Sequence, residues 1–194
     1  MYKIILASNS KIRKKILDKN GVDCKVFPPN IDEQSVKERA IKENLSSELI
    51  SKNLAELKAN EISLKFNNEI VIGADSVIDI NGELISKPKN RKEAQEILIK
   101  LNGKTHNLIS SVCISKNGSM IWNYTDKAAL TMKNMSDKQL EEYLSKITDE
   151  ALYSYNVYQI EGEGRSLFLK IEGDEDTIMG LPVKKIKDYL RNYK

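Results

Sequence analysis

The run Ile70-Val71-Ile72-Gly73-Ala74 is apolar throughout and stops at Asp75. An unbroken apolar stretch of this length reads as a strand. A carboxylate at its end would sit where α/β proteins gather their ligands, beyond the carboxyl edge of the sheet. Such a group can bind a divalent cation or accept a proton from an attacking water. It can equally hydrogen-bond the turn that follows the strand, and both readings stay open at this point.

The flanking segments supply the rest of the sheet and its cover. Lys3 to Ala7 read as a short strand, and Ser8 or Ser10 can cap a helix running from Lys11 to about Asn20, which Gly21 ends. A strand around Cys24 to Phe27 breaks at Pro28-Pro29 and leads into a polar loop carrying Asp32 and Glu33, with a helical turn at Ser35 to Arg39. Ser46 to about Leu64 carries Leu49, Ile50, Leu54, Leu57 and Ile62 near helical spacing, which predicts an amphipathic helix with those residues on its buried face. Val77 to Ile80, Asn81-Gly82 and Glu83 to Ile85 predict a hairpin with a type I′ turn.

Further on, Asn90 predicts the start of a helix over Arg91 to Leu101 that closes at Asn102-Gly103. Strands around Asn107 to Ser115 and Ile121 to Met132 are joined through Asn117-Gly118. Ser136 caps a helix with Leu140, Tyr143, Leu144 and Ile147 on its apolar face; Ser166 to Ile171 reads as a strand, and a basic helix follows Gly180-Leu181-Pro182. Strands alternate with helices in one part and pair as hairpins in another. The fold class is therefore α/β, a mixed twisted sheet wrapped by helices. The 194 residues suit one domain, residues 1–194, and show no repeat, linker or low-complexity tract.

Composition narrows the partners. Thirty-one Lys and Arg against 28 Asp and Glu leave a net charge of +3, too little to advertise a nucleic acid or a membrane surface. Any anion site must be local. No segment approaches membrane-spanning length, so a cytoplasmic protein is expected. Cys24 and Cys113 lie far apart and outside any zinc spacing, which predicts two buried free thiols.

Several residues could carry chemistry. Ser8-Asn9-Ser10 with Arg13 and Lys14 would place hydroxyls, cations and free backbone N–H groups at a helix start, as a phosphate requires; simple capping explains the same hydroxyls. Glu33 and Lys87 gain meaning if folding brings them to Asp75, because phosphoryl chemistry needs carboxylates for a metal and a cation for the phosphate oxygens; otherwise both are solvated surface. His106 is the only histidine, so a histidine-rich metal site is ruled out, and a strand-edge histidine bonded to backbone or water is the simpler reading. Neither Gly73-Ala74-Asp75 nor Glu161-Gly162-Glu163-Gly164 fits a P-loop or a dinucleotide fingerprint.

In order along the chain stand Leu6-Ala7-Ser8-Asn9-Ser10 with Arg13, Glu33, Gly73-Ala74-Asp75-Ser76, Lys87-Pro88, Leu101-Asn102-Gly103 with His106, Glu161-Gly162-x-Gly164, and Ile171-Glu172-Gly173 with Gly180-Leu181-Pro182. This series resembles the Maf family almost end to end. The resemblance implies an inosine-triphosphatase-like fold with an active-site cleft between two lobes. It implies hydrolysis of a nucleoside triphosphate to its monophosphate and pyrophosphate, dependence on a divalent cation (Mg, Mn or Co), and a homodimer. It would make Asp75 the proton acceptor, Glu33 with Asp75 the metal-linked carboxylates, Lys87 the phosphate-neutralising cation, and Ser8, Ser10 and Arg13 the triphosphate cradle. A non-catalytic nucleotide-binding module linked to cell division is the alternative that the resemblance also suggests.

The sequence departs from the family in places that bear on the base. Ile12 stands where many members have a first arginine, Glu161 where many have glutamine, and Leu152-Tyr153 where Ala-Gly is expected. A carboxylate only accepts hydrogen bonds, so Glu161 suits the paired N–H donors of guanine better than a uracil or thymine edge. A base made cationic by methylation would suit it further. Ile12, Ser76 and Glu161 are the expected specificity positions, and 7-methyl-GTP rather than dTTP or UTP the expected preference.

Overall fold

The computed structural model describes residues 3–193. Seven strands form one mixed sheet: β1 (Ile4–Ala7), β2 (Lys25–Val26), β3 (Ile70–Ile80), β4 (Glu83–Ile85), β5 (Thr105–Lys116), β6 (Ser119–Met132) and β7 (Phe168–Glu172). Their order is β2-β1-β3-β5-β6-β7, with β4 paired to β3. β1 is parallel to β2 and β3, whereas β3–β4 and β6–β7 are antiparallel. The helices are α1 (Lys11–Lys19), α2 (Glu33–Lys42), α3 (Ser47–Ser63), α4 (Arg91–Leu101), α5 (Asp137–Lys146), α6 (Asp149–Tyr155), α7 (Glu175–Ile178) and α8 (Val183–Asn192). The expected α/β class with a mixed sheet stands. None of the described helices is long and apolar enough to cross a membrane.

The chain divides into two compact units, passing from one to the other inside β3, β5 and β6. The first takes in the chain up to Val77, Ile109–Lys127 and everything from Asp174 onward; the second takes in Ile78–Leu108 and Ala128–Gly173.

In the first unit the two-residue alternation of the strands sorts side chains onto two faces. Leu6, Ile70, Ile72 and Ala74 pack with Ile16, Leu17 and Ile186 of α1 and α8. Ile5, Ala7 and Val71 pack with Ile62 of α3 on the opposite face. Helix α3 lies close on that second face because Gly73 has no side chain: a Cβ there would come within 2.3 Å of the Ala55 carbonyl oxygen and 2.6 Å of the Ala59 nitrogen. Ser10 caps α1 by accepting from the Arg13 amide, and Ser46 caps α3 by accepting from the Leu49 amide.

The second unit is built on α4, α5 and the ends of the long strands. Asn90 caps α4, and Ser136 with Gln139 forms a full capping box on α5. Asn102 grips both backbone groups of Met135, and Arg91 donates to the carbonyls of Leu144 and Ile147 at the end of α5. Asn81-Gly82 here, like Asn117-Gly118 in the first unit, has positive φ at both residues, as type I′ hairpin turns demand.

Three expectations need correcting. Strand β3 does not end at Asp75 but continues to Ile80, because its last residues find a partner in β4. Glu33 is not in a loop but opens the ten-residue α2, capped by Asp32, which accepts from the Ser35 amide. Leu49 and Leu57 are exposed at 38% and 41%; the buried face of α3 is made of Ile50, Leu54 and Ile62 with small residues between them, as close approach to Gly73 requires. Leu152-Tyr153 lies within α6, with Leu152 buried, and Asn156 after the helix has φ 72° and ψ −164°.

Candidate active site

The alternation that builds the core of the first unit also aims its polar residues. Asp75 follows Val71 and Gly73 onto the α3 face, while Ser76 follows Ile72 and Ala74 onto the α1 face. The β1–β3 pairing ends at Ala7 and Gly73, so Asp75 stands just past the end of its parallel neighbour. The carboxylate thus keeps the expected place relative to β1, although its own strand goes on.

On the α3 face, Lys58 meets Asp75. Leu54, Lys58 and Ile62 lie four residues apart on one stripe, so a lysine takes a core position one turn from each apolar neighbour. Its Nζ donates to Asp75 Oδ1 at 2.8 Å and lies 2.9 Å from Glu33 Oε1. Side-chain exposure is 7% for Lys58, 6% for Asp75 and 41% for Glu33. Ser51 Oγ donates to the Asp75 carbonyl, which fixes the backbone beneath the carboxylate. Asp75 Oδ2 is buried and has no hydrogen-bond partner. The structure therefore brings Glu33 and Asp75 together around one ammonium, with the buried Asp75 Oδ2 left without a hydrogen-bond partner.

Lys58 is not among the residues that the sequence motifs single out. The signal was present: it is the one charged residue at i+4 from Leu54 and i−4 from Ile62 on the buried stripe.

On the α1 face, Arg13 is the hub. Its Nε donates to the Gly180 carbonyl at 2.9 Å, one terminal nitrogen to the Ala74 carbonyl at 2.9 Å and Ser8 Oγ at 3.3 Å, and the other to Ser76 Oγ at 3.1 Å. Four of its five N–H groups are thereby committed to the protein. Burial pulls the guanidinium pKa down, opposed by the charges of Asp75 and Glu33. Ser110 Oγ gives its only proton to the Thr177 carbonyl, so in the Ser76–Ser110 contact at 2.9 Å Ser76 must be the donor. Thr177 Oγ1 continues the chain to Asp126 Oδ2. Ser8 is buried and its Oγ accepts from the Ser10 amide and from Arg13; Ser10 is half-buried at the α1 cap. Both hydroxyls still have a proton to donate. Ile12 rests against the apolar cluster behind them.

Lys87 and Glu161 belong to the second unit. Lys87 is exposed between β4 and α4, and Glu161 is exposed in the turn before the 3-10 segment Glu163–Leu167. His106 is neither at an exposed strand edge nor bonded to backbone: it is 1% exposed, with Nε2 2.7 Å from the Tyr158 hydroxyl. Cys24 and Cys113 are buried and free, as expected.

Among the described residues, no group of three His, Cys, Asp or Glu side chains is arranged to hold a metal by itself. Two carboxylates suffice where water and substrate phosphates complete the shell, which is the usual habit of Mg²⁺. Glu33 and Asp75, converging on the Lys58 ammonium with the buried Asp75 Oδ2 lacking a hydrogen-bond partner, fit that kind of partner.

Comparison with known proteins follows the same line. The nucleoside triphosphate pyrophosphatase of Pelagibacter ubique (strain HTCC1062) is 69% identical over 188 residues, covering 97% of this chain and 96% of that protein. The 7-methyl-GTP pyrophosphatase of Rhizobium etli is 35% identical over 189 residues, covering 97% and 95%. Among solved structures, a nucleoside-triphosphatase / dITP/XTP pyrophosphatase from Mycobacterium abscessus aligns with a TM-score of 0.46 at 13% identity, covering 97% of this chain and 93% of that one. Residues 3–193 match the family described as Maf-like protein, and the chain belongs to the Maf family.

Proposed function

We propose that this chain is a nucleoside triphosphate pyrophosphatase, hydrolysing a nucleoside triphosphate to its monophosphate and pyrophosphate. The observation that carries the reading is the Glu33–Lys58–Asp75 cluster: a buried carboxylate held by a lysine on one oxygen and unpartnered on the other, in a chain whose relatives bear that activity by name. The family model spans both compact units, which supports treating residues 1–194 as one functional domain.

In this reading Asp75 Oδ2 accepts the proton of the attacking water. The water oxygen bonds to the α-phosphorus, the bond from that phosphorus to the bridging oxygen breaks, and pyrophosphate leaves with the electron pair. Lys58 holds the Asp75 carboxylate in one orientation so that Oδ2, not Oδ1, faces the reaction. Ser8 and Ser10 donate their free hydroxyl protons to phosphate oxygens at the start of α1. Arg13 orients Ser8 and Ser76 and adds positive charge behind the cradle, and Lys87 neutralises the polyphosphate. Glu33 and Asp75 would hold a divalent cation (Mg, Mn or Co), which would supply charge neutralisation for the triphosphate and for the leaving pyrophosphate.

For the base, we propose Glu161 as the group that meets donor edges, favouring guanine and above all 7-methylguanine. Ser76 contributes through the Arg13 network, and we assign Ile12 to packing. The test is pyrophosphate release from 7-methyl-GTP, GTP, dTTP, UTP and CTP by the wild type and Glu161→Gln. A preference for 7-methyl-GTP that weakens in the variant supports the assignment, and a preference for dTTP or UTP overturns it. Tight nucleotide binding without turnover under any of the three metals would favour the regulatory-module alternative.

A further inference from the structure

The second unit contains a buried polar contact that the proposed reaction does not use. His106, at the start of β5, lies 2.7 Å from the Tyr158 hydroxyl through Nε2, while its Nδ1 is buried without a partner. The two rings join Phe168 in one cluster, with Tyr158 edge-on to Phe168 at 4.9 Å. A neutral imidazole carries one proton. Whether the Tyr158 hydroxyl donates or accepts, one buried ring nitrogen is left unsatisfied, a cost of about 1–3 kcal/mol that an all-apolar cluster would avoid. Packing alone does not ask for this pair.

A second destabilising feature lies two residues away. Asn156 has φ 72° and ψ −164°, a backbone region that essentially only glycine occupies without strain. Its Oδ1 accepts from the Val157 amide, which ties the strained residue to the segment after it.

Both features bear on the same short stretch. Val157 is held through its carbonyl by the Tyr143 hydroxyl at 2.9 Å, and Tyr158 by His106. Gln159 is held by the close approach of Gly164, where a Cβ would come within 2.5 Å of the Gln159 oxygen and 2.6 Å of its nitrogen. Three consecutive residues are pinned in three different ways. Directly after them the chain turns, the Gly162 amide donating to the Gln159 carbonyl and the Arg165 amide to that of Gly162. The exposed apex of this turn carries Glu161.

We propose that His106 and Tyr158 are positioning residues for substrate selection: their hydrogen bond, with the strained Asn156 beside it, fixes the root of the Gln159–Gly164 turn so that Glu161 is presented to the nucleobase in one orientation. This rests on the assignment of Glu161 to base recognition. Clamping the root costs buried polarity and backbone strain, and what it gains is a carboxylate whose aim does not wander. Misaimed by even an ångström, a hydrogen-bonding group loses much of its discrimination.

The test combines hydrogen–deuterium exchange with kinetics on full-length Tyr158→Phe, which keeps the ring and deletes the hydroxyl, with His106→Gln as a second variant should the first fail to fold. Exchange in peptides covering residues 157–165 is expected to speed up about tenfold, reporting a loosened turn. KM for the preferred nucleotide is expected to rise about fivefold with kcat nearly unchanged, and preference over the next nucleotide to shrink, as an interaction with the bound base predicts. Unchanged exchange would overturn the clamp whatever Glu161 does. Faster exchange with unchanged KM and preference, while Glu161→Gln alters both, would overturn the link to selection and leave the Glu161 assignment intact. If Glu161→Gln itself leaves preference unchanged, the assignment fails and the proposal fails with it, whatever the exchange data show.

Discussion

Lys58 meets Asp75 on one side only: its Nζ lies 2.8 Å from Oδ1, while Oδ2 is buried with no partner. In the proposed reaction this asymmetry separates two jobs: one oxygen is spent on orientation, and the other would serve water or metal.

Breaking this pair should be costly. With both side chains under a tenth exposed, Lys58→Met leaves Asp75 with an uncompensated buried charge, and a loss on the order of 3 kcal/mol is expected. Urea denaturation measures it. A midpoint equal to that of the wild type would mean that the pair is solvated in solution.

Gly73→Ala tests how Lys58 is placed. The added methyl group meets the backbone of Ala55 and Ala59, which no rotamer change can relieve, so α3 must move off β3. A loss of about 2 kcal/mol is expected, as for other overpacked cores, with turnover falling more steeply because Lys58 moves with its helix. A fully active, fully stable Gly73→Ala protein would contradict the close packing.

Stability should fall in acid partly through His106. Burial pushes its pKa from 6.5 down to about 4, so between these values the unfolded chain binds a proton that the folded chain refuses. The contribution is complete above about pH 6.5 and is lost as pH falls toward 4, on the order of 3 kcal/mol in all. Chemical denaturation at pH 7 and pH 4.5 should show a smaller difference for His106→Gln than for the wild type. Equal differences would mean that His106 titrates normally.

Much of this was readable in the sequence because the signals were local. Ser10, Asn90 and Ser136 cap the helices they precede, and Asn81-Gly82 and Asn117-Gly118 form their hairpin turns, since one side chain and a few dihedrals decide the outcome. Glu33 and Asp75 were named on chemistry and resemblance, and they do share one ammonium.

What escaped depended on partners distant in sequence. Strand β3 runs through Asp75 because β4 pairs with its far end, and a polar residue need not stop a strand whose backbone is satisfied. Leu49 and Leu57 have helical spacing, but Gly73 draws the small-residue side of α3 inward instead. The partners that hold Arg13 could not be read from its own neighbourhood either: two distant segments, Ala74 with Ser76 on β3 and Gly180 before α8, bring their oxygens to its guanidinium. Nothing in the local sequence signals the positive φ of Asn156, a residue whose short amide bonds the next backbone N–H.

The most direct test of the central claim is pyrophosphate release by the wild type and Asp75→Asn, each with Mg, Mn or Co and without metal, with circular dichroism to verify folding. The account predicts metal-dependent release by the wild type and a fall of about a thousandfold in the folded variant, the scale expected when a general base is lost. Release by Asp75→Asn at the wild-type rate would contradict the role given to Oδ2 and, with it, the site described around Lys58.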